Sequence, residues 1–120
     1  MSDDPQPLEI KLRRAARLLE VTFEDGLRFE LPFEYLRVHS PSAEVKGHGP
    51  GQETLVLGKE GVGVRAIEPV GQYAVKLVFD DGHDTGLYTW KYLFELGRDQ
   101  QEKWARYLAR RAANAPSKSE

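Results

Sequence analysis

The chain has no cysteine, one methionine and two tryptophans among its 120 residues. Without cysteine it has no disulfide, no thiolate metal ligand and no thiol nucleophile. It also lacks an excess of charge of either sign. Seventeen Lys and Arg against 19 Asp and Glu leave a formal net charge of -2, so no global positive field gathers nucleic acid or anionic membrane. No apolar run approaches the ~18 residues of a membrane span, and no basic-then-apolar leader is visible. The expectation is a cytoplasmic protein with neither nucleic acid nor membrane as partner.

What is present is 40% hydrophobic, 10% aromatic and 30% charged. That suffices for one core removing roughly two-thirds of the unfolded chain's surface from water, and is too small for a catalytic barrel or a full dinucleotide-binding fold. Residues 1–7 and 116–120 read as tails, 8–97 as the body of the domain and 98–115 as a C-terminal helix.

The strongest pattern is alternation. Leu19, Val21 and Phe23, then Leu27, Phe29 and Leu31, share one face, with Glu20, Thr22, Arg28 and Glu30 opposite. A two-residue Asp25-Gly26 loop would scramble the faces. A three-residue loop pairs Phe23 with Leu27 and Val21 with Phe29, which predicts a type I turn closed by Gly26 in the left-handed conformation. Tyr73, Val75, Leu77 and Phe79 repeat the alternation before Asp80, Asp81 and Gly82. Phe23, Asp25, Gly26 and Leu31 match Phe79, Asp81, Gly82 and Leu87. After one inserted residue Tyr35 and Leu36 match Tyr92 and Leu93. Leu8, Ile10 and Leu12 read as an opening strand, and Val62, Val64, Ala66 and Val70 as another. Asp99 to Ala113 reads as the long helix, with Trp104, Tyr107, Leu108 and Ala112 at helical spacing and Gly97 separating it from a segment at Thr89 to Leu96. Gly47, Gly49 and Gly51, interleaved with His48 and Pro50, mark a loop. The expected fold is α+β: a twisted antiparallel sheet built from two hairpin-plus-short-helix units, with a C-terminal helix.

Sequence evidence for catalysis is close to nil. The residues two beyond His39, His48 and His83 are Pro41, Pro50 and Thr85, so no His-x-Asp iron motif is present, and there is no HExxH. Gly58, Gly61 and Gly63 stand in the wrong order for a dinucleotide fingerprint, and no serine sits in a G-x-S-x-G elbow. Ser40 can cap a turn begun by Pro41. His83 is set apart by position: the turn places it opposite Phe79, toward the core, with Asp80, Asp81 and Asp84 around it. That is raw material for a general base or a metal ligand, and equally for a histidine that hydrogen-bonds a turn. Lys11, Arg13, Arg14 and Arg17 form a basic cluster able to meet an acidic partner, or simply solvated charge.

Leu31-Pro32-Phe33-Glu34-Tyr35-Leu36-Arg37, Ser40-Pro41-Ser42-Ala43-Glu44, Pro69-Val70-Gly71-Gln72-Tyr73-Ala74-Val75, Asp80-Asp81-Gly82-His83 and Gly86-Leu87-Tyr88-Thr89-Trp90 follow one another in this order. Together they resemble the gamma-butyrobetaine hydroxylase-like N-terminal domain family over about residues 8 to 97. The resemblance implies domains that stand alone in small bacterial proteins, or are fused to the hydroxylase or to Mrp-type P-loop ATPases carrying iron-sulfur clusters. It implies a zinc site of three cysteines and one histidine, whose positions here are Ser40, Ser42, Val45 and His83. Three of the four ligands are therefore replaced, and no cofactor is expected. The oxygenase domain and its iron motif are absent from this sequence, so hydroxylase activity is not expected either. The expected role is a non-catalytic protein-interaction module, an accessory to iron-sulfur protein maturation with an Mrp-type ATPase as partner, binding through Arg37, Asp81, His83, Tyr88 and Trp90. The alternatives are a metal-binding domain that retains His83, with His39 and carboxylates, or a small metal-assisted enzyme using His83 with Asp81 or Asp84.

Overall fold

Alternation and turn chemistry produce one structural unit twice. The computed structural model describes residues 5–42 and 56–114. The first unit comprises β1 (Pro7–Arg13), β2 (Leu18–Phe23), β3 (Arg28–Pro32) and α1 (Phe33–Val38). The second comprises β4 (Val64–Val70), β5 (Ala74–Phe79), β6 (Leu87–Thr89) and α2 (Trp90–Arg98), and α3 (Gln100–Ala113) follows. Each unit forms a three-stranded antiparallel sheet, ordered β1-β2-β3 and β4-β5-β6, giving the expected α+β fold with a C-terminal helix. The glycine loop at residues 47–53, Val45 and His48 lie outside the described residues, as do the tails apart from positions 5–7, where Pro7 already opens β1.

The two units agree in detail. Val21 pairs with Phe29, and the Phe23 N–H donates to the Leu27 carbonyl at 2.8 Å, as the three-residue turn requires. In the second unit the Phe79 N–H donates to the His83 carbonyl at 3.0 Å. Gly26 and Gly82 close the turns at φ +88° and +92°, a conformation that costs glycine little. In each turn the preceding aspartate accepts from the backbone two residues on: Asp25 from Leu27 and Asp81 from His83, both at 3.1 Å. A bulge interrupts β1 between Pro7 and Glu9, opposite Phe23, and β4 between Val64 and Ala66, opposite Phe79.

The register corrects one part of the sequence match. Leu31 pairs across to Leu19, whereas Tyr88, and not Leu87, pairs with Val75. The inserted residue therefore falls before Leu87, in the second turn. Tyr88 is the buried counterpart of Leu31, and Leu87 is 40% exposed. Leu27 is likewise 46% exposed rather than core-facing, because its turn reaches past the edge of the core.

Gly97 does not break the helix. It lies inside α2, and the break comes at Asp99, with φ -102° and ψ 18°. Gly97 is where the helix meets β3: a Cβ there would lie 2.2 Å from the Phe29 ring. The second unit reverses the pairing, since Gly86 occupies the place of Phe29 and a Cβ on it would lie 2.3 Å from Ser40 Oγ, just beyond α1.

Each helix packs on the other unit. On the first unit, Phe94 of α2 meets Phe23 and Phe29 edge-on, with ring centroids 5.3 and 5.7 Å apart. On the second, α1 supplies Arg37 to the β5–β6 turn and its Leu36 carbonyl to the Tyr88 hydroxyl at 2.6 Å. One core spans both units, including Leu19, Val21, Leu36, Leu77, Leu93 and Leu96, all fully buried. The basic cluster holds this arrangement together. Arg14 donates to the Arg65 carbonyl at 2.9 Å, Arg17 to the Val62 carbonyl, and Arg13 to the buried Glu20. Among the described residues no helix is long and apolar enough to cross a membrane.

Candidate functional site

Where α1 ends against the turn of the second unit, polar side chains replace hydrocarbon. The short helix directs Arg37 inward, and its Nε donates to Asp81 Oδ2 at 3.0 Å. Lys59 Nζ reaches the same oxygen at 2.6 Å, while Asp81 Oδ1 accepts the His83 backbone N–H. Burial pushes the Asp81 carboxyl up, but Lys59, the His83 N–H and Arg37 together outweigh it and hold the pKa at about 2. The Arg37 guanidinium lies over the Phe79 ring, 5.9 Å from its centroid, and among the described residues its buried Nη1 has no hydrogen-bond acceptor.

Beside this ion cluster Ser40 Oγ is 2.8 Å and Ser42 Oγ 3.4 Å from His83 Nε2, with all three residues buried. Ser40 Oγ also accepts the Ser42 backbone N–H at 3.3 Å, which is the local turn its position after α1 suggested. Ser40 thus bridges α1 to the second unit.

Of the expected binding residues, Arg37, Asp81 and His83 come together. Tyr88 stands behind them with its ring fully buried, and burial pushes its hydroxyl pKa up. Trp90 is partly buried against the core and donates its ring N–H to the Gln72 carbonyl at 2.8 Å. Tyr88 therefore lies beside the cluster, whereas Trp90 sits at the other end of β5, against Gln72 and Tyr73. His39 belongs elsewhere: it caps α1, its Nδ1 lies 3.0 Å from the Tyr35 carbonyl, and its ring is 4.7 Å from that of Tyr35. Asp84 is exposed. The sequence carried no signal for Lys59, which lies 22 residues from Asp81 along the chain.

The arrangement does not make a catalytic dyad. Asp81 touches the backbone of His83, its two oxygens are committed to Arg37, Lys59 and that N–H, and Ser40 is 1% exposed. The described residues do not by themselves make a zinc site either. Ser40, Ser42 and His83 do converge, but two neutral hydroxyls and one imidazole lack the thiolate or carboxylate donors that structural zinc sites use. Among the described residues no three His, Cys, Asp or Glu side chains gather into a metal-ligating group.

This is an α+β domain of two similar hairpin-plus-helix units, in which, among the described residues, the second unit's turn meets α1 through a polar junction. The chain belongs to the family described as gamma-butyrobetaine hydroxylase-like, N-terminal, whose model matches residues 10–94. Two structures solved in solution by NMR are similar to it. One is 54% identical with a TM-score of 0.81, over 98% of this chain and 87% of that one. The other is 47% identical with a TM-score of 0.80, over 97% and 91%. A crystal structure of a DUF971-family protein of unknown function from Acidithiobacillus ferrooxidans is 46% identical with a TM-score of 0.66, over 77% of this chain and 92% of that one. No curated protein matches.

Proposed function

We propose that the protein is a non-catalytic interaction module of the cytoplasm whose recognition site is the Arg37, Lys59, Asp81 and His83 cluster. One observation carries this reading: the equivalent junction of the first unit is closed by aromatic rings, whereas this one holds an ion cluster. At the corresponding junction in the other half, Phe94 stands where Arg37 does and Leu27 where His83 does, and the space is closed by the Phe23, Phe29 and Phe94 rings. A chain that can seal one junction with hydrocarbon and keeps ions at the other departs from the simplest packing, and such departures concentrate at functional sites. Lys59 and Asp81 form the accessible rim of the cluster, their side chains 24% and 21% exposed. Partner candidates follow from the fusions that the family resemblance implies, which make an Mrp-type iron-sulfur carrier ATPase the first protein to test.

The test is isothermal titration of the purified ATPase from the same host with the full chain and with its Lys59→Glu variant, which reverses the rim charge while leaving Arg37 on Asp81. Binding by the wild type and its weakening in a folded variant support the reading. Absence of binding by the wild type removes the ATPase as partner. Binding indifferent to Lys59→Glu removes the cluster as the recognition site.

A further inference from the structure

The outer strands of the two sheets differ in how their free edges are closed. In β3 the Glu30 carbonyl is taken by Gln100 at 3.0 Å, and Pro32 has no N–H to offer. In β4 the Arg65 carbonyl is taken by Arg14 at 2.9 Å and Pro69 again lacks an N–H, while β6 has only 3 residues. β1 keeps its edge open. It runs for 7 residues, with Leu8 67% exposed and the Glu9 and Lys11 side chains 53% and 49% exposed. Its one proline and its bulge stand at its start, clear of Ile10 and Leu12. The groups it leaves open follow from register. The Phe23 N–H points to Leu27 and the Glu24 N–H to the Gln6 carbonyl, so alternate β2 residues turn toward β1, and Glu20 and Leu18 take up the backbone of Lys11 and Arg13. The N–H and C=O groups of Ile10 and Leu12 therefore point outward, and among the described residues no strand pairs with them.

We propose that β1 pairs with β1 of a second copy of this chain, antiparallel about a twofold axis at Ile10, joining two three-stranded sheets into one continuous sheet. Charge selects both this occupant and this register. With Ile10 facing Ile10 of the second copy, Glu9 lies opposite Lys11 of the second copy and Lys11 opposite its Glu9. Glu9 and Lys11 already meet at 3.6 Å within one strand, so four charges of alternating sign close a ring on one face of the joined sheet. The neighbouring registers that keep the core faces on the same side put Lys11 on Lys11 or Glu9 on Glu9, which disfavours them. The pairing also brings Leu8, the most exposed large hydrophobic side chain among the described residues, beside Leu12 of the second copy. This inference rests on β1, not on the reading of the polar cluster, and either can fail alone.

Sedimentation equilibrium of the full chain at concentrations up to about 1 mM, a range that reaches weak association, should show a monomer–dimer equilibrium. Glu9→Lys and Lys11→Glu, each altered at an exposed position and checked for an intact amide spectrum, should each weaken the dimer about tenfold, since two attractive cross-strand pairs become repulsive. Mixed in equal amounts, the two variants carry opposite charges at both positions and should associate at least as tightly as the wild type. In the concentrated wild type the Ile10 and Leu12 amides should exchange with solvent more slowly than in dilute solution. The proposal is overturned if the wild type stays monomeric, if either single variant leaves the dimer intact, if the mixture associates no better than the separate variants, or if the protection gained at high concentration falls on another strand.

Discussion

Tyr35 and Tyr92 make the same hydrogen bond in opposite directions across the molecule. The Tyr35 hydroxyl donates to the Leu96 carbonyl near the end of α2, at 2.6 Å, and the Tyr92 hydroxyl to the His39 carbonyl at the end of α1, at 2.5 Å. Each closes the last turn of the other unit's helix, where carbonyls have lost their intrahelical partners.

Removing these hydroxyls should therefore loosen both helix ends, though unequally. Tyr35 is fully buried, so Tyr35→Phe leaves a carbonyl that water reaches poorly and should cost about 1 to 3 kcal/mol. Tyr92 is only partly buried, and Tyr92→Phe should cost about 0.5 to 1.5 kcal/mol. Urea denaturation of the two variants gives the comparison, and a larger loss for Tyr92→Phe would contradict the burial argument.

Gly97→Ala sets helix propensity against packing, with opposite signs. Propensity alone would stabilise α2 by about 1 kcal/mol. The added Cβ, 2.2 Å from the Phe29 ring, should reverse this to a net destabilisation of about 1 to 3 kcal/mol. Phe29→Leu in the same background should recover part of the loss. A more stable Gly97→Ala protein in chemical denaturation would show that the helix and β3 can separate at no cost.

Acid stability should depend on Asp81. Its carboxyl stays ionised in the folded protein down to about pH 2, against an ordinary value of 3.8, so the unfolded chain takes up this proton first. The stabilisation is complete above about pH 4 and is lost as pH falls toward 2. Subtracting the pH profile of an Asp81→Asn variant from that of the wild type should leave a slope confined to that window. A flat difference would mean that Arg37 and Lys59 do not hold the charge.

His39 should act at milder pH. Burial lowers its pKa below the ordinary 6.5, with Lys103 and Arg106 of α3 adding to the effect and the hydrogen bond to Tyr35 opposing it. Below pH 6.5 the unfolded chain binds a proton that the folded ring resists, so stability declines from there toward the folded pKa. His39→Gln should abolish that decline, and the His39 imidazole carbon resonances of the wild type should titrate below 6.5. Titration above 6.5 would reverse the sign.

The strands, both turns and the opening of the site were legible because they are local. Asp25-Gly26 and Asp81-Gly82 dictate their turns within a few residues, and the choice between two-residue and three-residue loops follows from which face Phe23 and Phe79 must take. The turn also brought His83 to a buried position that composition alone could not indicate. What escaped depends on distance along the chain. Nothing near Lys59 announces Asp81, and nothing near Gly97 announces Phe29, so that glycine read as punctuation when it marks a close approach. Arg14 and Arg17 read as solvated charge because their carbonyl acceptors lie in the other unit. Leu87 and Tyr88 exchanged places for a related reason: the extra residue in the second turn shifts a strand by one position, and in a strand that moves every side chain to the opposite face.

The exchange of helices between the two units also governs how the chain can come apart. A fragment ending after α1 would have its sheet but lack the Phe94 ring that covers it, and a fragment starting before β4 would lack the Leu36 and Arg37 that close its turn. Neither half owns a complete interior. Folding must wait for contacts between distant parts of the chain, and unfolding should be a single event with no surviving half, whereas the two fragments, mixed, should recover together the structure that neither holds alone.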